Sequence, residues 1–97
     1  MKLTINGREY EIRYSLRMFF HYEKITGEMY KGETLLSNAI LFWSAIVSSN
    51  KDVDMTFDAF VDALDADESL LTTFNAYLTK EIENKSSQDK KKVPKAK

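Results

Sequence analysis

No cysteine occurs anywhere in the 97 residues. Disulfides, thiolate nucleophiles and cysteine-bound zinc are therefore excluded. A cytosolic compartment fits that absence. Histidine occurs once, as His21. No serine or cysteine nucleophile can be paired with it from the sequence, and Glu23, two residues on, falls off its helix face. His21 reads as an ordinary helix residue. Long apolar runs are missing too. The richest, Ala39 to Val47, falls well short of the roughly 20 residues that span a bilayer. Met1-Lys2 leads into alternating residues instead of the apolar core of a signal peptide, so none is expected. Glycine is scarce at three residues and proline occurs once, so each glycine is informative.

Apolar residues make up 43% of the chain and aromatics 12%. A chain of this length forms one small core, burying roughly 60–70% of its unfolded surface. Charge is unevenly placed. Residues 85–97 hold six lysines and one aspartate, a net of +5 against −1 for the whole chain, which leaves −6 for residues 1–84. An acidic body with a basic tail is expected.

The run Thr34 to Asn50, TLLSNAILFWSAIVSSN, carries the only tryptophan, Trp43, and no charge. At helical spacing Leu36, Ala39, Ile40, Trp43, Ile46 and Val47 form one stripe, and Ser37, Asn38, Ser44 and Ser48 the opposite face. So apolar a helix needs cover on more than one side, which makes it the central element. Thr34 is its expected cap. Before it, residues 2–14 alternate around Asn6-Gly7, the pattern of a β-hairpin with a type I′ turn. Leu3, Ile5, Tyr10, Ile12 and Tyr14 would share its inner face. Ser15 caps a helix over 16–26 that Gly27 ends, with Leu16, Phe19, Phe20, Tyr22 and Ile25 as its apolar surface. Met29 and Tyr30 are expected to fold back onto the core. Thr56 caps a short helix with Phe57, Phe60, Val61 and Leu64 at i, i+3, i+4 and i+7. Ala66-Asp67 interrupts it. A last helix follows over about 68–84, with Leu70, Leu71, Phe74, Tyr77, Leu78 and Ile82 on its face. The expected fold is α+β and mainly α: an N-terminal hairpin on about four helices over residues 1–84. Residues 85–97 are too polar to order themselves and read as a disordered basic tail.

The acids Asp52, Asp54, Asp58, Asp62, Asp65, Asp67 and Glu68 invite a calcium loop, but the frame fails. Loops begun at Asp52, Asp54 and Asp65 put Phe57, Ala59 and Leu70 where a turn glycine is needed. They put Ala63, Asp65 and Ala76 where a bidentate glutamate is needed. The tail lysines could touch phosphate in a salt-dependent way, but no aromatic is interleaved among them. Neither a nucleic-acid role nor a membrane role is favoured. No catalytic set, metal set or cofactor motif is found. The aromatics read mostly as core, and any left exposed would mark a partner-binding patch.

The segments INGREYEIRYSLR at 5–17, FFHYEKITGE at 19–28, LFWSAIVSSN at 41–50 and MTFDAFVDALD at 55–65 together resemble the tail assembly chaperones of long-tailed bacteriophages and prophages. The resemblance spans residues 1–84 and is mainly structural. It implies a non-enzymatic protein that binds the tape-measure protein before the tail tube assembles around it. It also implies a place in the host bacterial cytoplasm and absence from the mature virion. The tail tube protein and a second copy of the chain are further candidate partners. Phe42, Trp43, Phe60 and Tyr77 are the expected partner-binding residues, at or beneath an apolar groove. Two alternatives stand beside this reading: a structural tail-completion or connector component, and a small nucleic-acid-associated regulator using the basic tail.

Overall fold

The computed structural model describes the backbone of residues 1–96 and the side chains of residues 1–85. Its fold is α+β and mainly α, an N-terminal hairpin on four helices. Strands β1 (Lys2–Ile5) and β2 (Arg8–Glu11) pair antiparallel, with Ile5 opposite Arg8 and Lys2 opposite Glu11. The two-residue loop holds Asn6 at φ 54° and Gly7 at φ 77°. Those are the two positive angles a type I′ turn requires.

The ladder stops at Glu11, three residues short of the expected end, because the backbone beyond it finds other partners. Ile12 N–H donates to the Met1 carbonyl at 2.7 Å. Arg13 N–H donates to Ser49 Oγ and Tyr14 N–H to the Tyr77 hydroxyl, at 3.1 and 3.0 Å. On the outer edge of β2, Asn50 acts as a substitute strand. Its Oδ1 accepts from Glu11 N–H at 3.1 Å, and its Nδ2 donates to the Glu11 carbonyl at 2.9 Å and the Ile46 carbonyl at 2.8 Å.

Helix α1 (Leu16–Thr26) begins with Ser15 Oγ accepting from Met18 N–H and ends at Gly27, φ 77°. Its inner face is Met18 and Tyr22, flanked by half-buried Phe19. Leu16, Phe20 and Ile25, expected inside, stay exposed. The helix presents a narrow face to the core, and these three lie off it. Of the loop pair, Tyr30 folds back against Phe19 and Tyr22, whereas Met29 is exposed.

Helix α2 (Leu35–Ser49) opens on a capping box between Thr34 and Ser37. It packs against α1, β2, α3 and α4, which makes it the central element. Its deepest side chains are Leu41, Phe42, Ala45 and Ile46, with Ser44 fully buried beside them. The stripe read from the sequence is thus rotated. Ile40, Trp43 and Val47 are only half-buried and Leu36 is exposed. Ser44, expected on a polar face, is buried because its hydroxyl donates to the Ile40 carbonyl at 2.8 Å and leaves no unpaired polar atom.

Helix α3 (Phe57–Ala66) starts at Thr56, whose hydroxyl accepts from Ala59 N–H, and buries Phe60 and Ala63. Asp67 ends it and then accepts from Ser69 N–H to open α4 (Ser69–Ala96). Phe74 and Leu78 carry α4 into the core, while Ile82 is exposed. The helix runs past Asn84, where the sequence reading ended it. No glycine follows Asn84, and the first proline is Pro94. The expectation of a disordered tail over 85–97 concerns residues that, Lys85 apart, lie outside the described side chains.

Candidate functional site

Three helices meet through their aromatic rings. Phe42 of α2 stacks on Phe74 of α4, with centroids 4.5 Å apart and planes 2° from parallel. Phe60 of α3 meets Phe42 edge-on at 5.0 Å. Offset-stacked and edge-to-face pairs suit the ring quadrupoles, and all three rings are fully buried. Trp43 follows Phe42 on α2 and so points about 100° away, out of this core. It packs against Phe60 at 5.4 Å and Phe57 at 5.8 Å.

That turn places Trp43 in an open depression of about 230 Å³, lined by Ile25, Ile40, Trp43 and Phe57. Its floor is the half-buried side of α2, where Leu36, Ile40, Trp43 and Val47 succeed one another at i+4, i+3 and i+4. One wall is α1, through Ile25, which is 50% exposed. The other is α3, through Phe57, with Val61 one turn further on and 36% exposed. Leu36, at the end of the floor, is 62% exposed. Ile25, Ile40, Trp43 and Phe57 form an apolar groove along α2, between α1 and α3, and Leu36, Val47 and Val61 carry partly exposed apolar surface on from it along α2 and α3.

Its two walls carry opposite charge. Around α3, the order outward from buried Phe60 is Phe57, Val61, then the exposed acids Asp65, Asp58 and Asp62, which make up its outward face. On α1 the residues outward from Ile25 are His21, Arg17 and Lys24. Arg17 and His21 line a second depression with Val47 and Lys51, where the groove floor ends. Among the described residues Arg17, Lys24, Lys51, Asp58 and Asp62 form no ion pair.

Phe42, Trp43 and Phe60, three of the four residues expected at a partner site, do come together. Phe42, enclosed by rings of α3 and α4, and Phe60, enclosed by Phe42 and Trp43 of α2 and Phe57 of its own helix, lie wholly beneath the surface and are not probes of an exposed patch. Trp43 reaches the groove. Tyr77 does not join them. Its hydroxyl accepts from Tyr14 N–H, and burial, its first cause, pushes its pKa up. Sequence reasoning missed Ile25, which it placed on the core face of α1. The i+3 and i+4 spacing of Leu36, Ile40, Trp43 and Val47 was the available signal for the floor.

Two of the remaining acids have local partners. Asp54 pairs with Arg8 at 3.0 Å, and Asp67 caps α4. Among the described residues no group of three or more potential ligands could hold a metal ion, and no helix is long and apolar enough to cross a membrane. No family model, no curated protein and no solved structure gave a significant match to the chain.

Proposed function

We propose that the chain is a non-enzymatic binding module that shields apolar helix surface on a larger protein. Its most specific form is a phage or prophage tail assembly chaperone acting on the tape-measure protein in the host cytoplasm. The observation that carries the reading is the groove along α2. Ile25, Ile40, Trp43 and Phe57 line one almost wholly apolar depression, whereas the other exposed apolar side chains, Leu16, Phe20, Met29, Leu35 and Ile82 among them, do not line it. Contiguous exposed apolar surface marks interaction sites, and a groove between helices suits an amphipathic helix of a partner. The sequence segments similar to tail assembly chaperones name the partner class.

Co-expression of the full chain with a tape-measure protein of a long-tailed phage tests the proposal. The expected result is co-purification, with the large protein soluble only when the chain is present. A large protein that is soluble alone and never associates sinks the reading. A structural tail component differs in its fate: it stays in purified virions, whereas a chaperone is missing from them.

A further inference from the structure

The opposed charges on the groove walls say more about the occupant than its apolar floor does. We infer that the groove takes one amphipathic α-helix whose apolar stripe is bordered by basic residues on one flank and acidic residues on the other. This rests on the binding reading above and gives the partner its chemistry.

The apolar floor has the length of about three helical turns, from Leu36 to Val47. A docked helix would set anchors at i, i+3 or i+4, and i+7 against Ile25, Ile40, Trp43 and Phe57. Its flanks would then lie over the walls. On the α3 side they meet Asp58 and Asp62, one turn apart, exposed and without an ion-pair partner among the described residues. On the α1 side they meet Arg17 and Lys24, with Lys51 closing the Val47 end. A helix basic on both flanks meets repulsion at α1, and one acidic on both meets it at α3. Rim charges of this kind select partner and orientation more than they add affinity.

Trp43 is the only tryptophan, so its emission reports occupancy directly. Tryptophan-free helical peptides with one leucine stripe serve as probes. One carries lysine on one flank and glutamate on the other; one carries glutamine on both; one carries glutamate on both. The mixed-flank peptide should shift Trp43 emission and bind the full chain about fivefold tighter than the glutamine peptide at low salt. The glutamate peptide, attracted at α1 but repelled at α3, should bind no tighter than the glutamine peptide. The preference should shrink near about 0.5 M salt, where exposed charges are screened. The double variant Asp58→Asn, Asp62→Asn should lose it while keeping its circular dichroism spectrum.

Equal binding of the three peptides would overturn the flank assignment and leave the groove standing. No emission change with any peptide would remove the groove itself and the binding reading with it. An emission change that tracks protein concentration alone would give the groove to a second copy of the chain, and this inference would fall.

Discussion

At the residue scale, adjacent aromatics have separate duties. Phe42 is enclosed by Phe60 and Phe74, and no smaller side chain fills that space. Phe42→Ala should destabilise the fold by about 3–5 kcal/mol, read from the midpoint of urea unfolding. Trp43 is half-buried at the groove and should lose less on truncation, about 2 kcal/mol. A Trp43→Ala cost equal to that of Phe42→Ala would put Trp43 in the core and remove the groove. The hydroxyl of Tyr77 is the partner of Tyr14 N–H, so Tyr77→Phe should cost about 1–2 kcal/mol by leaving that donor unpaired. Burial raises the pKa of both Tyr30 and Tyr77 above 10.0. Ionising either phenol therefore opposes folding. Stability from this source is full below the unfolded value near pH 10 and falls as pH rises toward the folded values. Unfolding followed between pH 9 and 11 should steepen in the wild type and flatten in Tyr30→Phe, Tyr77→Phe.

At the scale of elements, the caps were legible because they are local chemistry. Ser15, Thr34 and Thr56 each stand one residue before a helix, and Gly27 stands one after. Gly27 has no atom near enough to meet an added Cβ, but its φ is +77°. Gly27→Ala should then cost about 1–2 kcal/mol from local backbone strain, with no clash against the rest of the fold. A thermal melt of the variant measures it, and a neutral result would mean that the end of α1 relaxes. Helix rotation was less legible. Periodicity showed that α2 is apolar on most sides but not which side is deepest, since Leu36, Ile40, Trp43 and Val47 form as regular a stripe as Leu41, Phe42, Ala45 and Ile46. The choice was made by the neighbours: α3 and α4 bring Phe60 and Phe74 onto Phe42. The same holds for α1, where Met18 and Tyr22 turn inward and Phe20 does not. An apolar count over α1 could not rank them, because Leu16, Phe20 and Ile25 are as hydrophobic as the residues that won.

At the scale of the whole molecule, the hairpin needs a fastening. Two strands alone are marginal in water, and β2 offers its free edge to whatever lies beside it. In this chain Asn50 lies beside it. Read from the sequence, Asn50 only closed the run from Thr34. Its amide in fact joins the Glu11 backbone to the end of α2 through three hydrogen bonds. Such a contact, 39 residues apart along the chain, leaves no local signature. Arg8 adds a second fastening, to Asp54 Oδ2 at 3.0 Å and to the Asp52 carbonyl at 2.6 Å. The Arg8 pair is exposed and contributes little, whereas the Asn50 bonds are part-buried. Asn50→Ala should therefore cost about 2–3 kcal/mol, at about 1 kcal/mol per bond, and Arg8→Ala less than 1 kcal/mol. The two differ in kind as well. Without Asn50, Glu11 N–H loses its acceptor, and amide exchange should speed at Glu11 while Phe42 and Phe74, deep in the helical core, stay protected. If exchange instead rises equally at all three, the hairpin and helices open as one cooperative unit, and the fastening is not the weak point between them.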